Sequence, residues 1–203
     1  MSSADVPGGL RLVHSTPRPP LERRQIVPNE VLGVTIFVLS ELMFFAGLVS
    51  AFTISRAAAP EWPPPGQPRL PLEETAINTA ALLASGALMW WAGRRFDKVG
   101  PAAARTPYAA SLALGAFFVL FQGYEWARLL GEGLTLTSST HGGFFYLIVG
   151  IHALHVMCGF YVLISQFRRL LGEQLSPGAF WGARLFWYFV VLLWPFLYWR
   201  VYL

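Results

Sequence analysis

The chain has 203 residues, 55% of them hydrophobic and 13% charged. Soluble domains carry about 25% charged residues; here the charges gather between long uncharged runs, which excludes a sizeable soluble domain and points to a multi-pass membrane protein. The formal net charge of +4 does not argue for nucleic acid, because the basic residues lie between apolar runs, where membrane topology accounts for them.

Residues 1–30 read as a polar tail, with prolines at 7, 17, 19, 20 and 28 and arginines at 11, 18, 23 and 24. It lacks the apolar run of about 7–15 residues that a cleavable signal peptide needs. The membrane domain, residues 31–203, then opens with a first span over Val31–Ser55, whose one charge, Glu41, follows Ser40. Gly47 and Ala51 give it a small-xxx-small spacing suited to close helix contact. Six prolines in residues 56–74 exclude a regular element there.

A second span is expected at about Thr75–Gly93, with Asn78 and Thr79 near its mouth and Trp90 and Trp91 at its far boundary. A third covers about Pro107–Ala127, with Gln122 and Glu125 three apart on one face. A connection rich in glycine and hydroxyl residues, 128–141, leads to the fourth, Gly142–Gln166. At ~1.5 Å per residue that helix is ~37 Å long, against a hydrocarbon core of ~30 Å. It carries His152 and His155 on one face, ~4.5 Å apart along the axis, among the small residues Gly150, Ala153, Cys158 and Gly159. This suggests a helix central in the bundle. The fifth span, about Phe180–Trp199, is aromatic and contains Pro195, where a kink is expected. The single cysteine, Cys158, reads as a small buried hydrophobe.

Five spans leave six segments on alternating sides. One side carries 11 Lys and Arg residues (4 in the tail, 4 in 94–105, 3 in 168–184), and the other carries 4 (Arg56, Arg69, Arg128, Arg200). The expected fold is therefore an all-α membrane protein, a bundle of five transmembrane helices with the amino terminus cytoplasmic and the carboxyl terminus external.

Glu41 is the most costly residue of the chain, since an acidic group at a helix centre costs about 2.5–3.5 kcal/mol or more. It marks either a proton-handling or substrate site, or an interhelical hydrogen bond that fixes register. Its candidate partners are Ser40, His152 and His155, which would bring the first and fourth helices together. Glu125, near the outer end of its helix, is expected to cost little and to be hydrated. The two histidines invite a metal reading, but His141 lies ~16 Å from His152 along the axis, and no second helix offers another. They read as hydrogen-bonded core histidines, with a carboxylate-bridged metal site using Glu41 and Glu125 as the rival.

Five stretches together resemble a known family. SELMFFAGL at 40–48, WPPPG at 62–66, NTAALLASG at 78–86, FQGYEWA at 121–127 and GIHALHVMCG at 150–159 are similar, in order and spacing, to stretches of subunit III of the haem–copper terminal oxidases. The resemblance covers the last five of the seven spans of the long members, as in short bacterial members. It departs at WYFVV, 187–191, where the family often has Trp-His-Phe-Val-Asp and this chain has Tyr188 and Val191.

The resemblance implies a non-catalytic subunit in the bacterial cytoplasmic membrane. It would pack on the catalytic haem–copper subunit, hold phospholipid between its helices and support proton uptake during oxygen reduction. Haem and copper are then expected in partner subunits and none in this chain. Glu41, Ser40, Asn78, Glu125, His152 and His155 would form its proton, lipid or structural polar sites. Related subunits of quinol oxidases and the subunit-III-like accessory proteins of nitric oxide reductases fit the same residues. From another class, so does an independent proton-coupled transporter, although no inverted repeat is visible.

Overall fold

The computed structural model describes residues 29–203; the tail assigned to residues 1–30 lies outside them except for its last two residues. These residues form five α-helices and no strand: α1 Asn29–Ala58, α2 Leu72–Lys98, α3 Pro101–Gly131, α4 Thr140–Leu171 and α5 Pro177–Leu197, the last continued by a π-helical turn, Tyr198–Tyr202. Four of these stretches, all but α2, are long and apolar enough to cross a membrane, and the chain is a membrane protein. Every helix starts earlier than its apolar run because the polar flanks wind on. α3 passes through Pro107 instead of starting there.

Local chemistry sets the boundaries. Ser139 caps α4 by accepting a bond from Gly142 N, and Ser176 caps α5 by accepting from Ala179 N, with Pro177 in the first turn where a missing N–H costs nothing. Val99 and Gly100 alone reverse the chain between α2 and α3. Gly100 has φ +119°, a conformation that favours glycine, and Pro101 starts the next helix.

α2 and α3 pair most closely. Ser85 Oγ donates to Ser111 O (2.9 Å) and Ser111 Oγ to Ser85 O (2.8 Å), which lets the two backbones touch. α5 then lies across α1, α2 and α4. Its indoles tie it to α2: Trp187 Nε1 donates to Ser85 Oγ (3.2 Å) and Trp194 Nε1 to Thr79 Oγ1 (2.9 Å). Such bonds hold helices together where lipid removes the hydrophobic drive between them. The core therefore runs along α5, where 61% of the residues in its most apolar stretch are buried, and not along α4, where 33% are. The large indoles of α5 fill the space between helix pairs, which the small residues of α4 leave open.

α1 is the peripheral helix. Only Phe45, Val49 and Phe52 of it are buried. Gly47 and Ala51 do not mediate close packing: both face away from the bundle, and a Cβ at Gly47 would meet nothing within 4 Å. The Phe45 stripe takes the inner face, and a residue two positions on points about 200° away. Gly150 is likewise free of neighbours, whereas Gly159 sits under Trp187 and Phe186; Cys158, expected to be buried, is exposed because its neighbour Gly159 takes the face turned to α5. Pro195 lies inside α5, and the helix changes to π winding three residues later, the local adjustment by which a chain recovers bonds lost at proline.

Candidate functional site: two polar clusters

α1 and α4 meet at Glu41. His155 Nε2 lies 3.1 Å from Glu41 Oε2, with the side chains 13% and 20% exposed. His155 Nδ1 is 2.8 Å from the carbonyl of Ile151 one turn back. A carbonyl only accepts, so Nδ1 carries a proton. Nε2 and the carboxyl then hold one further proton between them, on either the ring or the acid. Four phenylalanines, 37, 45, 186 and 189, surround the imidazole with centroids 5.5–6.4 Å away, so the pair sits in an apolar collar. Ser40 takes no part: its exposed hydroxyl donates to Ile36 O at 3.0 Å, the back-bond open to any helical serine.

A second cluster joins α2, α3 and the carboxyl end. Glu125 is 1% exposed, so the expectation of a hydrated group is overturned. Its carboxyl accepts from Gln122 Nε2 (2.8 Å) and from Thr75 Oγ1 (3.1 Å). Asn78 Nδ2 donates to Phe118 O (3.3 Å) and Gln122 Oε1 (3.4 Å), and Gln122 Nε2 also reaches the Tyr202 hydroxyl (3.4 Å). Glu125 is covered because α3 runs four residues past the expected span end, and the π-helical turn folds Tyr202 over it. Arg128, one turn on, serves Glu74 (3.0 Å) and Glu132 (3.5 Å) instead.

His152 is 1% exposed and stacks on Trp194, centroids 5.1 Å apart at 24°. Neither of its nitrogens has a hydrogen-bond partner among the described residues, so the hydrogen-bonded reading holds for His155 only. Spacing of three residues puts the two rings on one face, and Phe45 of α1 packs against both, but the Glu41 carboxyl meets only His155. His141 is also buried, edge-on to Trp62 at 5.1 Å. Among the described residues, no three His, Cys, Asp or Glu side chains converge as a metal would require. Thr75, Tyr202 and Trp194 join these clusters without having been singled out from the sequence. Asn78 and Thr79 on the second span and Gln122 and Glu125 on the third marked the place, and Thr75, one turn before Thr79, adds a third polar group on that side of α2.

Between α1 and α5 lies an open, apolar groove of about 820 Å³, lined by Leu42, Val49, Leu192 and Phe196 along its length and by Arg200 at one end. Arg200 Nη2 donates to Thr53 Oγ1 at 2.8 Å.

The family model described as cytochrome c oxidase subunit III matches residues 25–203. The chain belongs to that family. Relatives include the probable cytochrome c oxidase subunit 3 of Nocardia farcinica, 35% identical over 179 residues that cover 86% of this chain and 88% of the relative. The protein of the same description from Mycobacterium leprae is 35% identical with the same coverage. Cytochrome c oxidase subunit 3 of Lemur catta is 34% identical over 84% of this chain and 64% of its own length. As a subunit III, the chain is a non-catalytic component of a haem–copper oxidase. The Glu41–His155 contact and the Glu125 cluster are thus polar features of a subunit whose complex, not the chain, reduces oxygen.

Proposed function

We propose that the chain crosses the bacterial cytoplasmic membrane five times, packs on the catalytic haem–copper subunit, holds phospholipid against its helices and sustains proton supply. Haem and copper belong to its partners. The observation that carries this reading is the Glu41–His155 contact, a proton-holding pair inside an apolar collar. The α1–α5 groove supports the lipid element, being open and lined mostly by apolar side chains.

α2 serves as the fifth span although it is the least apolar. Its 27 residues reach ~40 Å at ~1.5 Å each, and Thr75, Asn78, Thr79 and Ser85 are turned into the bundle. The 11 to 4 division of basic residues sets the α2–α3 and α4–α5 turns in the cytoplasm. The test is purification in mild detergent alongside reporter fusions after residues 60 and 135. A multi-span haem-bearing subunit should co-purify, and both fusions should report an external position. A stable, monodisperse single chain, or a cytoplasmic signal at either fusion, contradicts the proposal.

A further inference from the structure

At the end of the bundle that carries the α2–α3 turn, Arg184 of α5 is buried with only a loose, half-exposed ion-pair partner. Its side chain is 8% exposed, Nε has no partner, and its nearest acid, Asp97 Oδ2, is 3.8 Å away, beyond hydrogen-bond distance. The guanidinium is nonetheless held in place. It lies over the Phe180 ring at 4.5 Å and near the Trp181 ring at 5.7 Å, and it occupies the space above Gly93 where any Cβ would collide with Nη1. A buried arginine with an unmet donor is costly, and arginine's planar fork pairs most strongly with a two-oxygen anion.

Beside it is a cavity of about 200 Å³ lined by Trp90, Arg94, Asp97, Trp181, Arg184 and Tyr188. The Arg94 guanidinium lies 4.9 Å over Trp90. Two exposed tryptophans, 90 and 181, mark headgroup level in a membrane protein. Two arginines and one aspartate leave the cavity one positive charge in excess, which balances a phosphodiester monoanion and falls short of a dianion. We propose that this cavity binds the phosphodiester of a phospholipid headgroup, with Arg184 as the bidentate donor and Arg94 as the outer cation. The site lies on the α2–α5 face and is distinct from the α1–α5 groove, with Tyr188 alone lining both, and it rests on the membrane reading above only for its depth.

The test uses the assembled, detergent-solubilised complex. Photoactivatable phosphatidylglycerol is added to the wild type, and labelled residues are mapped by peptide mass spectrometry. Label is expected at Trp90 or Trp181, which line this cavity and not the α1–α5 groove; its absence from both overturns the site without any variant. Native mass spectrometry then compares Arg184→Gln and Arg184→Lys. Arg184→Gln should lower retained phosphatidylglycerol about tenfold, the order of one charge-assisted bidentate pair, and Arg184→Lys should fall between it and the wild type. If millimolar inorganic phosphate displaces the label, the site takes free anion and the lipid assignment fails. If Arg184→Gln strips a protein subunit from the complex while retained lipid is unchanged, the arginine serves a partner's carboxylate and the proposal fails. Co-purification of the haem-bearing subunit in the wild type reads out the proposed function separately.

Discussion

Replacing Glu41 separates a shared proton from a simple ion pair. With Nδ1 committed to the Ile151 carbonyl at 2.8 Å, a neutral His155 presents a bare Nε2 that needs a donor. A protonated Glu41 supplies one across 3.1 Å, and the amide of a Glu41→Gln variant can do the same from the same position. The substitution should therefore cost under about 1 kcal/mol, within the net worth of one hydrogen bond. Glu41→Ala instead leaves Nε2 unpaired inside a ring of four phenylalanines, a loss of about 1–3 kcal/mol. Detergent-denaturation midpoints of the assembled complex should rank wild type, then Gln closely behind, then Ala. Equal losses for Gln and Ala would mean that the amide cannot replace what Glu41 gives, as for an ion pair with a cationic ring, and would refute the neutral-pair reasoning. Oxygen reduction should persist in Glu41→Gln, with at most a less durable turnover. Complete loss of turnover in a fully assembled variant would refute the supporting role.

Three shorter expectations follow from the same packing. Gly86→Leu should disrupt the α2–α5 contact, because a Cβ there already comes within 2.9 Å of Val191; reduced yield of the assembled complex measures it, and a normal yield counts against the stated packing. Trp187→Phe removes the indole donor to Ser85 while keeping most of the apolar bulk, so thermal stability should fall by about 1 kcal/mol, while Trp199→Phe, on an exposed ring, should change little. The chain freed of every partner should show no Soret absorbance, and a band surviving that separation would contradict the assignment of haem to partner subunits.

Helix existence was legible because an apolar run of bilayer length permits little else in lipid. The Glu41–His155 meeting was legible too, since a mid-span acid requires a partner and the chain offers few. Helix facing was not. Gly47 and Ala51 satisfied a contact spacing yet point outward, because spacing along one helix says nothing about which side a neighbour occupies, and the larger Phe45–Val49–Phe52 stripe decided that. The same gap hid Ser85 and Ser111. Each is an ordinary serine in sequence and becomes a reciprocal bond only when two backbones approach. Glu125 looked peripheral because the apolar run ends near it, while the helix and the carboxyl-terminal turn continue over it. Arg184 was counted with its side of the membrane as a topology charge, and its burial depends on Gly93, a residue on another helix.

Glu125 supplies the decisive test of whether α2 and α3 are joined by chemistry as well as by shape. The Thr75 hydroxyl has one proton and two acceptors, Pro71 O at 2.6 Å and the Glu125 carboxyl at 3.1 Å. Gln122 Nε2, at 2.8 Å, is the firm donor. Glu125→Gln keeps the shape and should cost less than Glu125→Ala, which strands the Gln122 amide among buried groups at about 1–3 kcal/mol. Thr75→Val removes a bond that competes with a backbone acceptor and should cost less than either. The informative quantity is the coupling in the Thr75→Val, Glu125→Ala cycle, read from denaturation midpoints of the assembled complex. Groups in direct contact couple by about 0.5–3 kcal/mol. Coupling at the low end of that range is expected, because the hydroxyl proton is shared with Pro71. Strict additivity would show that Thr75 spends its proton on the backbone alone, leaving α2 and α3 held at this end by Asn78 with Gln122 and by the Arg128–Glu74 pair.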